Sequence, residues 1–173
     1  MIPCIGTDVA RIAFIGPMAS GKTRLGKRVA RRLAIDFIDT DREIVAEHGP
    51  IAEIFERHGE PYFRSLERDA AARALAADAV VSLGGGAVLD PDTQRLLGDT
   101  PVVLLSVSAE AVAPRLSDGR RPLVRDGVET WSRILEQRRE TYERLADVTF
   151  DTSSIPLDQI ADEIVAWLSK EHP

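Results

Sequence analysis

The segment GPMASGKT, residues 16–23, constrains the fold of this chain more than any other stretch. It matches G-x-x-x-x-G-K-[ST] through Gly16, Gly21, Lys22 and Thr23. An apolar run, IAFI, precedes it and an amphipathic helical pattern follows it, which is the context that such a loop requires. Glycines let backbone N–H groups turn inward toward phosphate oxygens, and the helix adds the positive end of its dipole. The pattern predicts a nucleoside triphosphate site, with Lys22 on the phosphates and Thr23 on Mg²⁺.

The rest of the chain alternates between short β-branched runs and longer helical patterns. The predicted strands are 12–15, 37–38, 79–83, 101–107 and 148–150. Helical spacing predicts helices over 23–33, 60–77 and 129–146, and Pro156 opens a last amphipathic helix. This alternation is typical of a parallel sheet with helices on both faces. We expect one α/β domain over residues 1–173, with a core of about 11–170.

Composition excludes several partners. The formal net charge of −6 argues against a surface for nucleic acid or anionic lipid. Cys4 is the only cysteine, and neither a membrane-spanning run nor a signal-peptide pattern is visible, so we expect a cytoplasmic protein. The first predicted helix carries a stripe of basic residues, Arg24, Lys27, Arg28, Arg31 and Arg32. This stripe could bind nucleic acid, but a solvated face opposite the core is the favoured interpretation.

A pair of carboxylates follows the second predicted strand, in FIDTDRE. In extended backbone, Asp39 and Asp41 would point the same way and could face one site. One could serve the metal or its waters, and the other could accept hydrogen bonds from substrate hydroxyls. Capping of a helix that begins at Arg42 is the alternative role.

Four further groups of residues are candidates. Arg64 and Glu67 share a helix face, and their spacing fits either a buried carboxylate-binding arginine or a surface ion pair. The glycines 84–86 fit either close approach of a ligand to the backbone or a plain turn.

Residues 115–127 form a polar stretch that predicts a lid, with Arg120 or Arg121 closing over phosphates. Arg138 and Arg139, taken alone, would be surface charge.

In this order, the segments resemble the shikimate kinase family. The resemblance covers nearly the whole chain and rests on GPMASGKT, FIDTD, IAEIFERHGEPYFRSLE, SLGGGAV, RRPL and the RxxxY of Arg138 and Tyr142. It implies a P-loop kinase three-layer sandwich with a central five-stranded parallel sheet in the order 2-3-1-4-5. It also implies transfer of the γ-phosphate of ATP to the 3-hydroxyl of shikimate, on the route to chorismate and aromatic amino acids.

The resemblance also implies roles for single residues. The nucleotide site comprises Gly16, Ala19, Ser20, Gly21, Lys22, Thr23, Arg24, Arg115 and Arg121, of which Lys22 and Arg121 are catalytic. Thr23 ligates Mg²⁺ and Asp39 supports it. Catalytic Asp41 takes the shikimate hydroxyls. Arg64 and Arg138 bind the shikimate carboxylate, and Glu67 orients Arg64. The backbone of Gly84, Gly85 and Gly86 closes the shikimate pocket, and Phe55 and Phe63 line it.

Two segments depart from the family pattern. The loop DTSSIP, residues 151–156, lacks the arginine that many members place against adenine, so we expect Arg115 to substitute and nucleotide preference to relax. The lid is about one residue short, and we favour Arg121 over Arg120 because it directly precedes Pro122. The alternatives to a monomeric shikimate kinase are a gluconate or quinate kinase and a non-catalytic module that senses ATP or shikimate.

Overall fold

The computed structural model describes residues 10–116 and 127–171. Within them, five strands form one parallel sheet in the order β2-β3-β1-β4-β5, which confirms the predicted order. The strands are β1 Ile12–Ile15, β2 Asp36–Asp39, β3 Ala79–Ser82, β4 Val102–Ser106 and β5 Val148–Asp151. Each lies within two residues of its predicted position, because β-branched runs mark buried parallel strands well.

Seven helices surround the sheet in the described residues. They are α1 Lys22–Leu33, α2 Thr40–His48, α3 Ile51–Leu75, α4 Pro91–Leu97, α5 Ala109–Leu116, α6 Val128–Leu145 and α7 Leu157–Glu171, with a 3₁₀ turn at Ala87–Leu89. Helix α3 is interrupted at Gly59, whose φ of 79° lies outside the helical region. The predicted helix over 60–77 corresponds to the part of α3 after this break. Neither α4 nor α5 was predicted, because each is too short to show a full apolar stripe.

The start of α2 corrects one interpretation. The helix begins at Thr40, and the Asp39 side chain caps it by accepting a hydrogen bond from the backbone N–H of Arg42 at 3.2 Å. The prediction of a helix that begins at Arg42 with Asp41 as its cap is therefore wrong. Asp41 lies inside the first turn of α2, so the extended geometry assumed for Asp39 and Asp41 is wrong as well.

The core is divided by the sheet, as the period of two along a strand requires. On β1, Ile12 and Phe14 pack on the face covered by α1 and α7, together with Leu25, Val29, Ile160 and Ile164. Ala13 and Ile15 pack on the opposite face with residues of α3, α4 and α6, among them Ala71, Ala74, Leu97 and Tyr142. Burial on both faces explains the nearly continuous apolar runs of the strands.

The basic stripe of α1 is joined to α7. Arg28 donates to Asp158 at 3.2 Å, and Arg32 donates to Asp162 at 2.6 Å. These pairs support the favoured interpretation of a solvated face over a nucleic-acid surface. No helix in residues 10–116 or 127–171 is both long and apolar enough to cross a membrane.

Because all strands are parallel, their carboxyl ends meet at one edge of the sheet. The P-loop, which is the segment at residues 16–23, follows β1, and Asp39 ends β2. The glycines 84–86 follow β3, and Thr152 follows β5. The topology therefore brings the sequence-predicted residues to the same edge from segments that are far apart in the chain.

Candidate active site

The P-loop backbone depends on residues with positive φ. Gly16 has a φ of 134°, and a Cβ there would collide with the carbonyl oxygen of Leu105. Gly21 has a φ of 94° and no steric neighbour, so only its conformation requires glycine. Ala19 has a φ of 64°, a left-handed conformation that non-glycine residues rarely adopt and that concentrates at functional loops. The shape of the loop therefore depends on positive φ at three of its residues.

The side chains of the P-loop are held by short contacts. Lys22 Nζ donates to the carbonyl oxygens of Gly16 and Pro17 at 2.8 and 2.9 Å. Thr23 Oγ1 donates to Asp39 Oδ2 at 2.6 Å, which joins the P-loop to the end of β2. The Lys22 ammonium therefore lies against the backbone of its own loop, at the position where it could bind phosphate oxygens.

A cavity of about 550 Å³ opens beside this loop. Its lining includes Ala19, Gly21, Lys22, Thr23, Arg24, Asp39, Asp41, Gly85 and Arg115. Gly16 and Ser20 are predicted nucleotide residues that do not line it. Ser20 is fully buried, and its carbonyl oxygen accepts a hydrogen bond from Thr152 Oγ1 at 2.7 Å.

The Thr23 and Asp39 oxygens fit Mg²⁺. A hydroxyl and a carboxylate are hard oxygen donors, which this ion prefers, and a Mg²⁺ that accompanies a nucleotide takes most of its ligands from phosphates and water. In residues 10–116 and 127–171, no group of three or more His, Cys, Asp or Glu side chains is placed to hold a metal ion.

Asp41 has an unusual electrostatic environment. Burial raises the pKa of the Asp41 carboxyl to about 6, and the nearby Glu67 and Asp39 carboxylates act in the same direction. The positive charges of Lys22 and Arg64 oppose this shift. Asp41 is therefore an ionised hydrogen-bond acceptor at neutral pH whose proton affinity lies close to the range of a general base.

Arg64 and Glu67 form a partly buried ion pair. Arg64 Nη1 donates to Glu67 Oε2 at 2.6 Å, and the Glu67 side chain is only 4% exposed. Burial raises the pKa of Glu67, while the Arg64 charge opposes the rise. Glu60 accepts a second bond from Arg64 at 2.8 Å. Of the two interpretations left open, the surface ion pair is therefore wrong for Glu67.

Gly84, Gly85 and Gly86 give charged side chains the room to converge. A Cβ on Gly84 would lie 2.5 Å from Asp41 Oδ1 and 2.7 Å from Glu67 Oε1. A Cβ on Gly85 would lie 3.5 Å from Arg138 Nη1, and one on Gly86 would lie 2.9 Å from Arg64 Cζ. None of the three has a positive φ, so the requirement is for space. The acidic and basic candidates thus meet at one turn.

Arg138 is buried, at 7% exposure, so the interpretation of this residue as surface charge is wrong. Its neighbour Arg139 is the exposed one and pairs with Glu136 at 2.8 Å. The positive charge of Arg138 opposes the rise in the pKa of the buried Tyr142 hydroxyl, which donates to the Gly85 carbonyl at 2.5 Å. Helix α6 thereby fixes Arg138 beside the triple-glycine turn.

Two aromatic residues pack behind Arg64. The Phe55 and Phe63 ring centroids lie 4.8 Å apart, and Arg64 Cζ lies 5.5 Å from the Phe63 centroid. Phe63 is buried with Ile44 and Ile54 in a small apolar cluster between α2 and α3. The Arg64 guanidinium therefore packs against a buried aromatic ring.

Arg115 also lines the cavity. It donates to the Ala19 and Thr152 carbonyl oxygens, each at 3.2 Å, beside Ser153 and Ile155. The lid residues Arg120, Arg121 and Pro122 lie outside the described residues.

Sequence reasoning did not assign a role to Thr152 or Trp131. Thr152 Oγ1 donates to the Ser20 carbonyl at 2.7 Å, and Trp131 Nε1 donates to the Met18 carbonyl at 2.9 Å. Both support the P-loop from far along the chain. No local pattern marks them, except that Trp131 occupies the apolar stripe of a predicted helix.

Comparison with known proteins decides the family, because the shikimate kinase (SKI) family model matches residues 18–169. The chain belongs to the shikimate kinase family. A shikimate kinase of Stenotrophomonas maltophilia is 44% identical over 166 residues, which is 92% of this chain and 92% of the relative. Another, from Saccharopolyspora erythraea, is 43% identical over 157 residues, covering 87% of this chain and 89% of the relative.

The fold agrees with membership of the shikimate kinase family. A solved structure of the shikimate kinase from Acinetobacter baumannii in complex with shikimate has a TM-score of 0.87 and 30% sequence identity. The match covers 95% of this chain and 96% of that one. The strand order and the P-loop of this chain are therefore those of the P-loop kinase fold of the family.

Proposed function

We propose that this chain transfers the γ-phosphate of ATP to the 3-hydroxyl of shikimate, giving shikimate 3-phosphate and ADP, within the route to chorismate and aromatic amino acids. One observation carries the proposal: Arg64, Arg138 and Asp41 converge on the turn at residues 84–86, and Gly85 and Asp41 line the P-loop cavity. A small acid with hydroxyls needs this combination of two guanidinium groups and one carboxylate acceptor.

Arg64 and Arg138 bind the shikimate carboxylate. Arg64 is held by Glu67, and Arg138 is confined by burial, so little side-chain entropy remains to be lost on binding. Because Glu67 is buried, its charge anchors Arg64 without being reachable for the ligand.

Asp41 accepts a hydrogen bond from the hydroxyl that reacts. In the transfer, the hydroxyl oxygen forms a bond to the γ-phosphorus while the bond from that phosphorus to the β–γ bridging oxygen breaks, and ADP leaves with that oxygen. The hydroxyl proton passes to the Asp41 carboxylate, whose pKa of about 6 suits a group that must be ionised at neutral pH yet able to take a proton. Since the transition state is loose, positioning contributes more than proton abstraction.

Lys22, Thr23 and the P-loop amides hold the phosphates. Lys22 exchanges its bonds to the Gly16 and Pro17 carbonyls for phosphate oxygens, and Thr23 with Asp39 would hold Mg²⁺. When bound, the ion supplies positive charge that neutralises the transferring group. Arg115 takes the base end of the nucleotide, and Arg121 stays a prediction as the lid arginine.

A coupled ADP-release assay with shikimate, quinate and gluconate tests the proposal. We expect turnover with shikimate that exceeds turnover with the other two acids by about a hundredfold or more, because the lost contacts are buried and polar. Preferred turnover of gluconate or quinate would favour a related kinase, and binding of shikimate without ADP release would favour a sensing module. A chelator should abolish turnover and added Mg²⁺ should restore it.

The remaining predictions concern the whole protein. We propose that the chain is a single-domain, monomeric and cytoplasmic enzyme, and that its low-molecular-weight partners are shikimate and ATP. Light scattering during gel filtration tests the monomer, and a dimer would contradict it.

A further inference from the structure

Helix α6 buries three side chains in the described residues, Trp131, Arg138 and Tyr142. Their spacing places them on the same side of the helix, which packs against the loops at the carboxyl edge of the sheet. The proposed function uses Arg138 for the shikimate carboxylate. It gives Trp131 and Tyr142 no role, although each makes a polar contact with a different loop of the site.

Trp131 reaches the nucleotide loop. Its indole N–H donates to the carbonyl of Met18 at 2.9 Å, and its ring is only 2% exposed. The ring packs with Val107 and Leu116, and Met18 and Ala19 lie against the same cluster. Since Ala19 carries the left-handed φ of the P-loop, this contact supports the loop beside its most strained residue.

Tyr142 reaches the acceptor loop. Its hydroxyl donates to the Gly85 carbonyl at 2.5 Å, and the positive charge of Arg138 lies close enough to act on the pKa of that hydroxyl. The ring itself is buried in the core beneath the sheet edge. The Tyr142 hydroxyl therefore holds the turn that the carboxylate-binding arginine lies against.

The two loops also lie close to each other, with room for about one methyl group between them. A Cβ on Gly85 would lie 3.6 Å from both the Gly16 carbonyl oxygen and the Met18 backbone nitrogen. A displacement of the P-loop would act on Trp131 at one end of α6, while Tyr142 holds Gly85 at the other end.

We propose that helix α6 couples the nucleotide site to the acceptor site, with Trp131 and Tyr142 as positioning residues at its two ends. The inference rests on the proposed function, since it takes the P-loop, which contains Met18, as the phosphate site. It likewise takes the turn at residues 84–86 as the shikimate site. Through these two hydrogen bonds, ordering of one loop by its ligand fixes the other loop in its binding geometry. The ligands therefore bind with mutual preference.

Four titrations measure this coupling. Isothermal titration gives the Kd of shikimate with and without saturating ADP and Mg²⁺, and the Kd of ADP with and without shikimate. The ratio in each pair is the coupling factor, and the two ratios must agree. We expect a factor of about five or more in the unaltered protein.

Removing either hydrogen bond should bring the factor within about twofold of one, because coupling depends on contacts shared by both sites. The variants are Trp131→Phe and Tyr142→Phe, which keep an aromatic ring in each buried place. The chain's other tryptophan and tyrosine supply the matched controls, Trp167→Phe on α7 and the exposed Tyr62→Phe on α3, which should keep the full factor. A double variant at 131 and 142 should have the same factor as either single variant.

Shikimate affinity without nucleotide separates coupling from simple loss of structure. Trp131→Phe should leave it within about twofold of the unaltered value, since the hydrogen bond that the variant removes goes to Met18 in the nucleotide loop and not to the turn at residues 84–86. If this variant fails to fold, benzothienylalanine at position 131 keeps the shape of the indole and removes only its N–H.

The outcomes distinguish the two proposals. Absence of shikimate binding and of ADP release in the unaltered protein would contradict the proposed function itself. Normal binding and turnover with a coupling factor of one, or with a factor that Trp131→Phe leaves unchanged, would overturn the role of α6 alone.

Discussion

The Arg64 guanidinium lies against Gly86 so closely that a Cβ on the glycine would be 2.9 Å from Arg64 Cζ. Gly86 has an ordinary negative φ, so this position needs glycine for space. The end of an arginine side chain can move aside at low cost, and the protein should therefore fold with a larger residue there. What a larger residue displaces is the carboxylate-binding group.

Gly86→Ala should accordingly raise the KM for shikimate by about tenfold or more, with the KM for ATP changed by less than about twofold, because only ground-state contacts of the acceptor are shifted. Initial rates at varied concentrations of each substrate measure the split. Ala76→Ser is the control, since it also adds one heavy atom at a residue with negative φ, but at an exposed position at the end of α3. An unchanged shikimate KM in Gly86→Ala would contradict the packing of Arg64.

The pH profile reports the state of Asp41. Because the pKa of its carboxyl is raised to about 6, kcat/KM for shikimate should fall about tenfold per pH unit below that value as the acceptor becomes protonated. Asp41→Asn should lose well over about tenfold in kcat/KM at neutral pH and should not show this acid limb. The control is Asp36→Asn, which removes an exposed carboxylate of β2. A variant with near-normal turnover would remove Asp41 from the mechanism.

The same carboxylate lowers stability. Its pKa in the folded protein, about 6, exceeds the ordinary value of 3.8, so the folded state binds the proton more tightly than the unfolded state does. Its ionisation therefore reduces the free energy of unfolding as pH rises from about 4 to 6. Asp41→Asn should be more stable than the unaltered protein by about 2 to 3 kcal/mol at pH 7 and equally stable near pH 3. Urea unfolding at the two pH values checks this, and lower stability of the variant at pH 7 would refute it.

Thr23 and Asp39 are joined by a 2.6 Å hydrogen bond at the place proposed for Mg²⁺. Thr23→Val keeps the shape and removes the oxygen ligand, so we expect kcat to fall by about a hundredfold or more and the Mg²⁺ concentration for half-maximal rate to rise. Thr23→Ser keeps the oxygen and should stay within about tenfold of the unaltered protein. Equal Mg²⁺ dependence of the valine and serine variants would exclude Thr23 as a ligand.

The sequence predicted most where a short local pattern has one physical explanation. Gly16 to Thr23 defines a phosphate loop by itself, and the apolar runs marked all five strands. Arg64 with Glu67 could not be resolved from spacing, because burial of Glu67 depends on packing against the distant turn at residues 84–86. Helical spacing could have separated Arg138 from its neighbour Arg139, because Arg138 lies seven residues after Trp131 and four before Tyr142, on the buried side of α6.

The errors have similar causes. Asp41 was placed in extended backbone because the strand pattern does not reveal that α2 begins at Thr40. The bond from Trp131 to Met18 joins residues 113 positions apart, which no local pattern can show. The strand order came from resemblance to the family, since alternation alone allows several parallel orders.

The central claim is that Arg64 and Arg138 bind the carboxylate of one small acid at the end of the P-loop cavity. Isothermal titration of shikimate and of its uncharged methyl ester tests it most directly. The proteins titrated are the unaltered protein, Arg138→Lys and Arg57→Lys. The last is the control, because Arg57 belongs to a surface ion pair on the same helix as Arg64. We expect the ester to bind the unaltered protein and Arg57→Lys about a hundredfold more weakly than shikimate does, because two charge-assisted contacts are lost. Arg138→Lys should weaken shikimate much more than the ester. Equal affinities of the acid and the ester for the unaltered protein would contradict the claim.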